Sequence, residues 1–296
     1  MLTSSLPLVS VVMPSFNQPD YIDAAITAVL GQDYPHVELF VADGGSGSAT
    51  TDILSARSAA DSRLRYFSRP DRGPAHALND AMSMVRGTVI GWLNSDDLYT
   101  DGAISRAATA LAANPHHLMV YGHGEHTDAN GTPTERYPTL PPSTPIAKFA
   151  EGCFICQPTM FFRRTARLML GNLDEQLKAA FDFDYWMRAF SLFPDRIGFV
   201  DKVQAYSRLH GDCITMRMRR TVALEGMQVI ARYLGTAPKE WILTYLNETL
   251  KLDSSDRGIA DMREHMRQTI DAASPWMTHT EKSHLEAAVA RQLNGK

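Results

Sequence analysis

Two aspartates, Asp96 and Asp97, stand side by side at the end of the run Trp92-Leu93-Asn94-Ser95-Asp96-Asp97. Adjacent carboxylates closing a buried strand repel one another and resist dehydration unless a cation lies between them or water reaches both. A divalent ion such as Mg²⁺ or Mn²⁺, held by one or two carboxylates and completed by substrate phosphates, resolves that conflict. The plainer alternative is a solvated turn in which Asp97 caps the next helix. A second polar cluster, Asp43-Gly44-Gly45-Ser46-Gly47-Ser48, also follows an apolar run. Its glycines let a ligand come close to the backbone, and its carboxylate can accept hydrogen bonds from a base or ribose. The spacing Gly45-x-Gly47-x-x-Thr50 echoes a dinucleotide fingerprint but lacks the third glycine, and no acidic residue ends the next strand. A nicotinamide cofactor is therefore disfavoured.

These clusters need a frame that brings them together, and the first 120 residues supply one by alternating strand and helix. Leu8–Met13, residues 37–42, Leu64–Ser68, Thr88–Leu93 and residues 118–122 read as strands. Between them Ile22, Ala25, Ile26, Val29 and Leu30 recur at helical spacing behind Asp20, a candidate cap. Thr51–Ala60 reads as a short helix, and Pro74 opens another that carries Leu78, Met82 and Val85 on one face, with Gly87 as its stop. Residues 103–113 read as a further helix. Alternation of this kind predicts a parallel sheet covered on both faces, with ligands beyond the carboxyl ends of its strands. Pro14-Ser15-Phe16-Asn17, Asp43 to Ser46, Asp71-Arg72-Gly73 and Asn94 to Asp97 all fall at those ends. Four clusters on one edge make a site.

Beyond residue 122 the pattern changes. Asn130-Gly131 signals a hairpin, residues 138–145 form a Pro-rich loop, and residues 146–212 mix helix and strand. The tail reads as helices near 217–234, 238–251, 257–272 and 279–293, the last opened by Thr278 and Glu281. The expected organisation is a domain over 1–212, split at residue 122, and a helical region over 213–296.

The net charge of −4 argues against a general nucleic-acid binder. Residues 1–212 hold 17 Lys/Arg against 23 Asp/Glu, so an anionic ligand there calls for a cation or backbone donors as well as basic side chains. No stretch approaches the ~18 apolar residues of a membrane span. Met1–Pro7 lacks the positive charge of a signal peptide, so the expected location is cytoplasmic. Cys153, Cys156, His210 and Cys213 can be drawn as a zinc site, but the first pair lies in an apolar stretch and reads better as buried thiols. Met216-Arg217-Met218-Arg219-Arg220 could touch an anionic membrane; it reads better as a helix face with packed methionines.

Val9 to Asn17 (VSVVMPSFN), Asp43 to Ser46 (DGGS), Asp71 to Asn79 (DRGPAHALN) and Ile90 to Asp97 (IGWLNSDD) resemble, in order and spacing, the donor-site blocks of family 2 glycosyltransferases. The resemblance covers roughly residues 8–212 and implies the GT-A fold: a mostly parallel nucleotide-binding sheet flanked by helices, joined to an acceptor-binding half. By position it implies that Pro14, Phe16 and Asp43 hold a nucleoside, with Asn17, Gly44 and Asp71 in the same blocks, and that Arg72 lies near the base or diphosphate. It further implies that Asp96 contacts the ribose or metal and Asp97 ligates Mn²⁺ or Mg²⁺. Gly44 stands where many members carry a second acidic residue, and Asn94 replaces the first aspartate of the usual Asp-x-Asp. Phe181 to Arg188 is similar to the segment bearing the family's catalytic carboxylate, which matches Asp182; its aromatic neighbours would partly desolvate it. Asp184 is expected to pair with Arg188 at i+4. Tyr206 to His210 resembles a late segment that implies His210 as a third ligand or phosphate donor, with Arg208 a candidate phosphate partner. Gln157 and Pro158 match a block near the acceptor.

The expected activity is metal-dependent, inverting transfer of a sugar from a nucleoside-diphosphate donor, UDP-linked by family habit, to a glycan, lipid-linked or other hydroxyl acceptor. A peripheral membrane contact and an oligomer through the tail helices are compatible with it. A non-catalytic nucleotide-sugar binder or a sugar-nucleotide pyrophosphorylase would share the sheet. The latter would need a Gly-rich N-terminal loop followed by a basic residue, which the sequence lacks.

Overall fold

A computed structural model describes residues 6–252 and 256–294; most of the Met1–Pro7 segment thus lies outside the described residues. In chain order the first elements are β1 (Val9–Ser15), α1 (Ile22–Leu30), β2 (Val37–Asp43), α2 (Ser48–Ala60), β3 (Leu64–Ser68), α3 (Pro74–Met84) and β4 (Val89–Trp92). They continue as β5 (Leu98–Tyr99), α4 (Ala103–Ala113), β6 (Met119–Thr127), β7 (Pro133–Arg136), β8 (Phe161–Arg163), α5 (Arg164–Leu170), α6 (Phe181–Leu192) and β9 (Ile197–Arg208). Helices α7 (Ile214–Arg217), α8 (Arg219–Leu234), α9 (Glu240–Leu252), α10 (Asp256–Ala273) and α11 (His279–Asn294) follow.

The described strands form one mixed sheet in the order β3-β2-β1-β4-β8-β6-β9-β5, with β7 beside β6. Every residue of β1, β2 and β4 is buried, as expected for strands covered on both faces. Strands β3, β2, β1 and β4 run parallel, and their register sets Ser15 opposite Asp43 and Asp43 opposite Ser68. Register alone therefore brings the predicted polar clusters to one edge. The parallel run stops there, because β8 enters antiparallel between β4 and β6, so the strand at residues 118–122 does not continue it directly. Asp20 does not cap α1; Tyr21 takes that place with no side-chain cap.

The chain divides into two compact units, Met1–Thr144 with Phe154–His210, and Pro145–Cys153 with Gly211–Lys296. In the first, Val11, Ile26, Leu39, Leu93, Ile104 and Phe161 are fully buried, each side chain contributing about 1.5–3 kcal/mol. In the second, Met227, Ile230, Ile242, Leu246, Met266 and Leu285 are equally buried. Its α11 is opened by Thr278, whose hydroxyl accepts the Glu281 N–H at 3.1 Å. Arg219 and Arg220 of the basic run bond inside this unit, to Glu248 and to Thr269. Among the described residues no helix is long and apolar enough to cross a membrane.

Candidate functional site

The corner at the end of β4 is built around an amide. Asn94 Oδ1 accepts the Trp92 indole N–H at 3.0 Å, while its Nδ2 donates to Asp97 Oδ2 at 3.1 Å and to Gln157 Oε1 at 3.0 Å. Gln157 Nε2 in turn donates to the Trp92 carbonyl at 2.9 Å. Gln157 thus braces the corner, a role its sequence context did not reveal.

Asp96 and Asp97 diverge. Asp97 is 4% exposed, and its other oxygen accepts the Arg208 backbone N–H at 2.9 Å. Burial, and after it the charge of Asp96, pushes the Asp97 carboxyl well above the usual carboxylate range, against the hydrogen bonds from Arg208 and Asn94. It caps no helix, since α4 starts behind Gly102 without a side-chain cap. Asp96 instead faces His210, with Nε2 3.0 Å from Oδ2. Its second carboxylate oxygen has no protein hydrogen bond among the described residues. Arg208, 7% exposed, donates Nε to the Asp96 carbonyl at 2.7 Å and Nη1 to Ala129 O at 2.8 Å. Its guanidinium also lies 4.8 Å from the Tyr21 ring, which packs 4.6 Å from the His210 ring. Two of Arg208's side-chain nitrogens are thus engaged in holding the corner. Tyr21 joins it without any signal in the sequence.

The neighbouring loops are tied to one another. Asp43 is fully buried; Oδ2 accepts the N–H groups of Gly45 (3.2 Å) and Ser46 (2.9 Å) and the Ser68 hydroxyl (2.5 Å). Its Oδ1 accepts the Ser46 hydroxyl at 2.5 Å, and that same Oγ accepts the Asn17 N–H at 2.7 Å. Asn17, at φ +51°, accepts the Gly47 N–H at 3.0 Å, so the loops after β1 and β2 form one body. The buried Pro14 ends in this body, while Phe16 is 61% exposed, an apolar ring displayed beside it. Gly44 donates its N–H to Ser15 O. A Cβ at Gly44 would lie 2.8 Å from Asp71 Oδ2 and 3.3 Å from Phe16 Cδ2, so a carboxylate reaches this spot from residue 71. Asp71 Oδ1 accepts the Gly73 N–H at 2.7 Å. Arg72, with its side chain 69% exposed, bonds to Glu175.

Asp182 lies in the first turn of α6 and is half-buried, with Oδ1 accepting the Phe183 N–H at 2.7 Å. The Phe181 ring stacks on Trp92 with centroids 5.7 Å apart, and Trp186 lies 6.0 Å from the same indole. These aromatics are drawn into the core, where they fix the start of α6 relative to the 92–97 corner. Asp184, fully buried, pairs with Arg188 as its i+4 spacing predicted.

Cys156 and Cys213 are buried and Cys153 is half-buried, as expected of residues in an apolar setting. Among the described residues no group of three or more His, Cys, Asp or Glu side chains is arranged to hold a metal, so Asp96, Asp97 and His210 do not form a three-ligand cage. The pair Asp96 and His210 still fits a divalent cation: the carboxylate suits Mn²⁺ or Mg²⁺, the added imidazole favours Mn²⁺ over the oxygen-preferring Mg²⁺, and positions remain for water and phosphate.

A mixed sheet whose parallel strands end at an acidic corner with an exposed aromatic beside it is an αβ architecture that receives ligands at that edge. The family model for glycosyl transferase family 2 matches residues 10–169, more than half of the chain, and the chain belongs to that family. The chain is 26% identical over 208 residues to the chondroitin synthase of Escherichia coli, a match covering 70% of this chain and 30% of that protein. It spans about a third of the length of several other curated relatives. Two solved structures share the fold, S. aureus TarS 1-349 in complex with UDP-GlcNAc and the mannosyltransferase PcManGT from Pyrobaculum calidifontis in complex with GDP-Man and Mn²⁺. The first has a TM-score of 0.63 at 17% identity over 97% of this chain and 88% of that one. The second has a TM-score of 0.61 at 18% identity over 98% and 81%.

Proposed function

We propose that the chain is a metal-dependent, inverting glycosyltransferase that moves a sugar from a nucleoside-diphosphate donor, UDP-linked, to an acceptor hydroxyl of a glycan or lipid-linked sugar. Family membership and the nucleotide sugars bound by the two solved neighbours support the donor class, and the synthase relative supports a polysaccharide or glycoconjugate product. The observation that carries the reading is the divided corner, with Asp97 sealed by protein donors and Asp96 left facing His210 with one open oxygen.

Asp96 and His210 would hold Mn²⁺ or Mg²⁺, which when bound offsets the charge of the departing diphosphate. Phe16 offers a face for the base, and Asp71 offers a carboxylate oxygen beside it. Asp182, at the start of α6, takes the proton from the acceptor hydroxyl as that oxygen attacks the anomeric carbon and the nucleoside diphosphate leaves. One displacement with no enzyme nucleophile inverts the anomeric centre.

The test combines metal removal with Asp182→Asn. Transfer should stop in EDTA and return with Mn²⁺. Asp182→Asn should bind UDP as the wild type does and lose ~10²–10⁴-fold in turnover. Full activity in EDTA would remove the metal from the mechanism, and unchanged turnover would move the base to another residue.

A further inference from the structure

Arg72 is a long, exposed side chain whose use in any donor site depends on where its charge is held. Two of its N–H groups converge on one oxygen, Glu175 Oε2, at 3.2 Å from Nε and 2.6 Å from Nη2. Of the five N–H donors of a guanidinium this leaves Nη1 and one hydrogen of Nη2 uncommitted. Glu175 is itself fixed from behind. Its Oε1 accepts Asn79 Nδ2 at 3.2 Å, and Asn79 is 6% exposed. The Asn79 amide clasps the backbone of Leu173 on both sides, accepting its N–H at 2.8 Å and donating to its carbonyl at 3.0 Å. The relay thus starts in a buried joint between α3 and the segment leading to α6, and ends on an exposed cation beside Asp71.

We propose that Glu175 is a positioning residue of the donor site: through the Asn79–Leu173 clasp it holds the Arg72 guanidinium in place to receive the diphosphate of the donor. The inference rests on the donor-site reading given above. An exposed ion pair adds little to folding. Its effect lies in ordering Arg72 before the ligand arrives, so that binding does not have to immobilise a side chain with many rotamers. The Glu175 carboxylate stays bonded to Asn79 and Arg72 keeps three donors free, so holding Arg72 and binding phosphate do not compete.

Titration of UDP with Mn²⁺, followed by calorimetry, tests this on the wild type, Arg72→Ala, Glu175→Ala and the double variant. Arg72→Ala should weaken UDP. Glu175→Ala should raise the dissociation constant about 2- to 12-fold, the range for immobilising one such side chain. The double variant should bind no more weakly than Arg72→Ala alone, a coupling that a merely structural role would not produce. Glu175→Gln, which keeps an oxygen for Asn79 and so preserves the clasp, should show a similar loss without a fall in melting temperature. Additive losses, an unchanged Glu175→Gln, or tighter binding in Glu175→Ala would each overturn the proposal. If the wild type binds neither UDP nor GDP, the donor-site reading fails, and this inference fails with it. If the wild type binds and only the Glu175 variants behave normally, the inference alone fails.

Discussion

The turn at residues 43–46 and the corner at residues 94–97 both carry acidic side chains at the end of a parallel strand, and they use them in opposite ways. Asp43 accepts four hydrogen bonds from its own loop and from Ser68, and is fully buried. At the corner the work is divided: Asp97 takes the internal bonds, and Asp96 keeps one oxygen unclaimed beside His210. A carboxylate whose lone pairs are filled by protein donors shapes a loop, and one with a lone pair to spare can meet a ligand. Chemical type does not distinguish them; the count of donors around each does.

That contrast can be broken experimentally. Asp96→Ala should lower turnover by about 10²- to 10³-fold while the melting temperature stays where it was, as for loss of a group that stabilises developing charge. A large fall in stability would place Asp96 with the loop-shaping carboxylates. Asp43→Ala should do the reverse and cost about 3 kcal/mol of stability, because two hydroxyls and two N–H groups lose their acceptor; urea unfolding would measure it. An undiminished urea midpoint would mean that water replaces the carboxylate. Gly44→Asp, which adds a second acid where Asp71 Oδ2 already sits, should raise the donor KM by roughly tenfold through like-charge repulsion. A lowered KM would show that the site accepts two carboxylates.

The smallest effect tests the rule away from the site. Glu38 in β2 is 2% exposed, and burial pushes its carboxyl up. Bonds from the Ser10 hydroxyl and from the Arg86 backbone and guanidinium together outweigh burial and hold it below the usual range. A depressed carboxyl pKa contributes stability that is present above the unfolded value, about 4.3, and lost as pH falls through the folded value. The wild type should therefore lose stability below about pH 4 more steeply than Glu38→Gln. Parallel acid limbs in the two proteins would show that Glu38 does not titrate in this way.

The parallel strands and the convergence of their polar ends were legible in the sequence, because apolar runs and turn residues are local signals and parallel register follows from them. Strand β8 was not. Three residues, Phe161–Arg163, carry no periodicity, and only their fit between β4 and β6 makes them a strand. The i+4 pair of Asp184 and Arg188 was visible because its partners share a helix. The different surroundings of Asp96 and Asp97 were invisible, since a backbone N–H on Arg208, 111 residues away, decides them. The link from Glu175 to Arg72 spans 103 residues and was hidden for the same reason.

The amide at Asn94 constrains how this corner can change over generations. Its Nδ2 serves two acceptors at once, Asp97 Oδ2 and Gln157 Oε1, and an aspartate in its place would turn both contacts into oxygen facing oxygen. An aspartate at position 94 would therefore call for a change at Gln157 in step. The two positions should vary together among homologues, and Asn94→Asp on its own should be poorly tolerated.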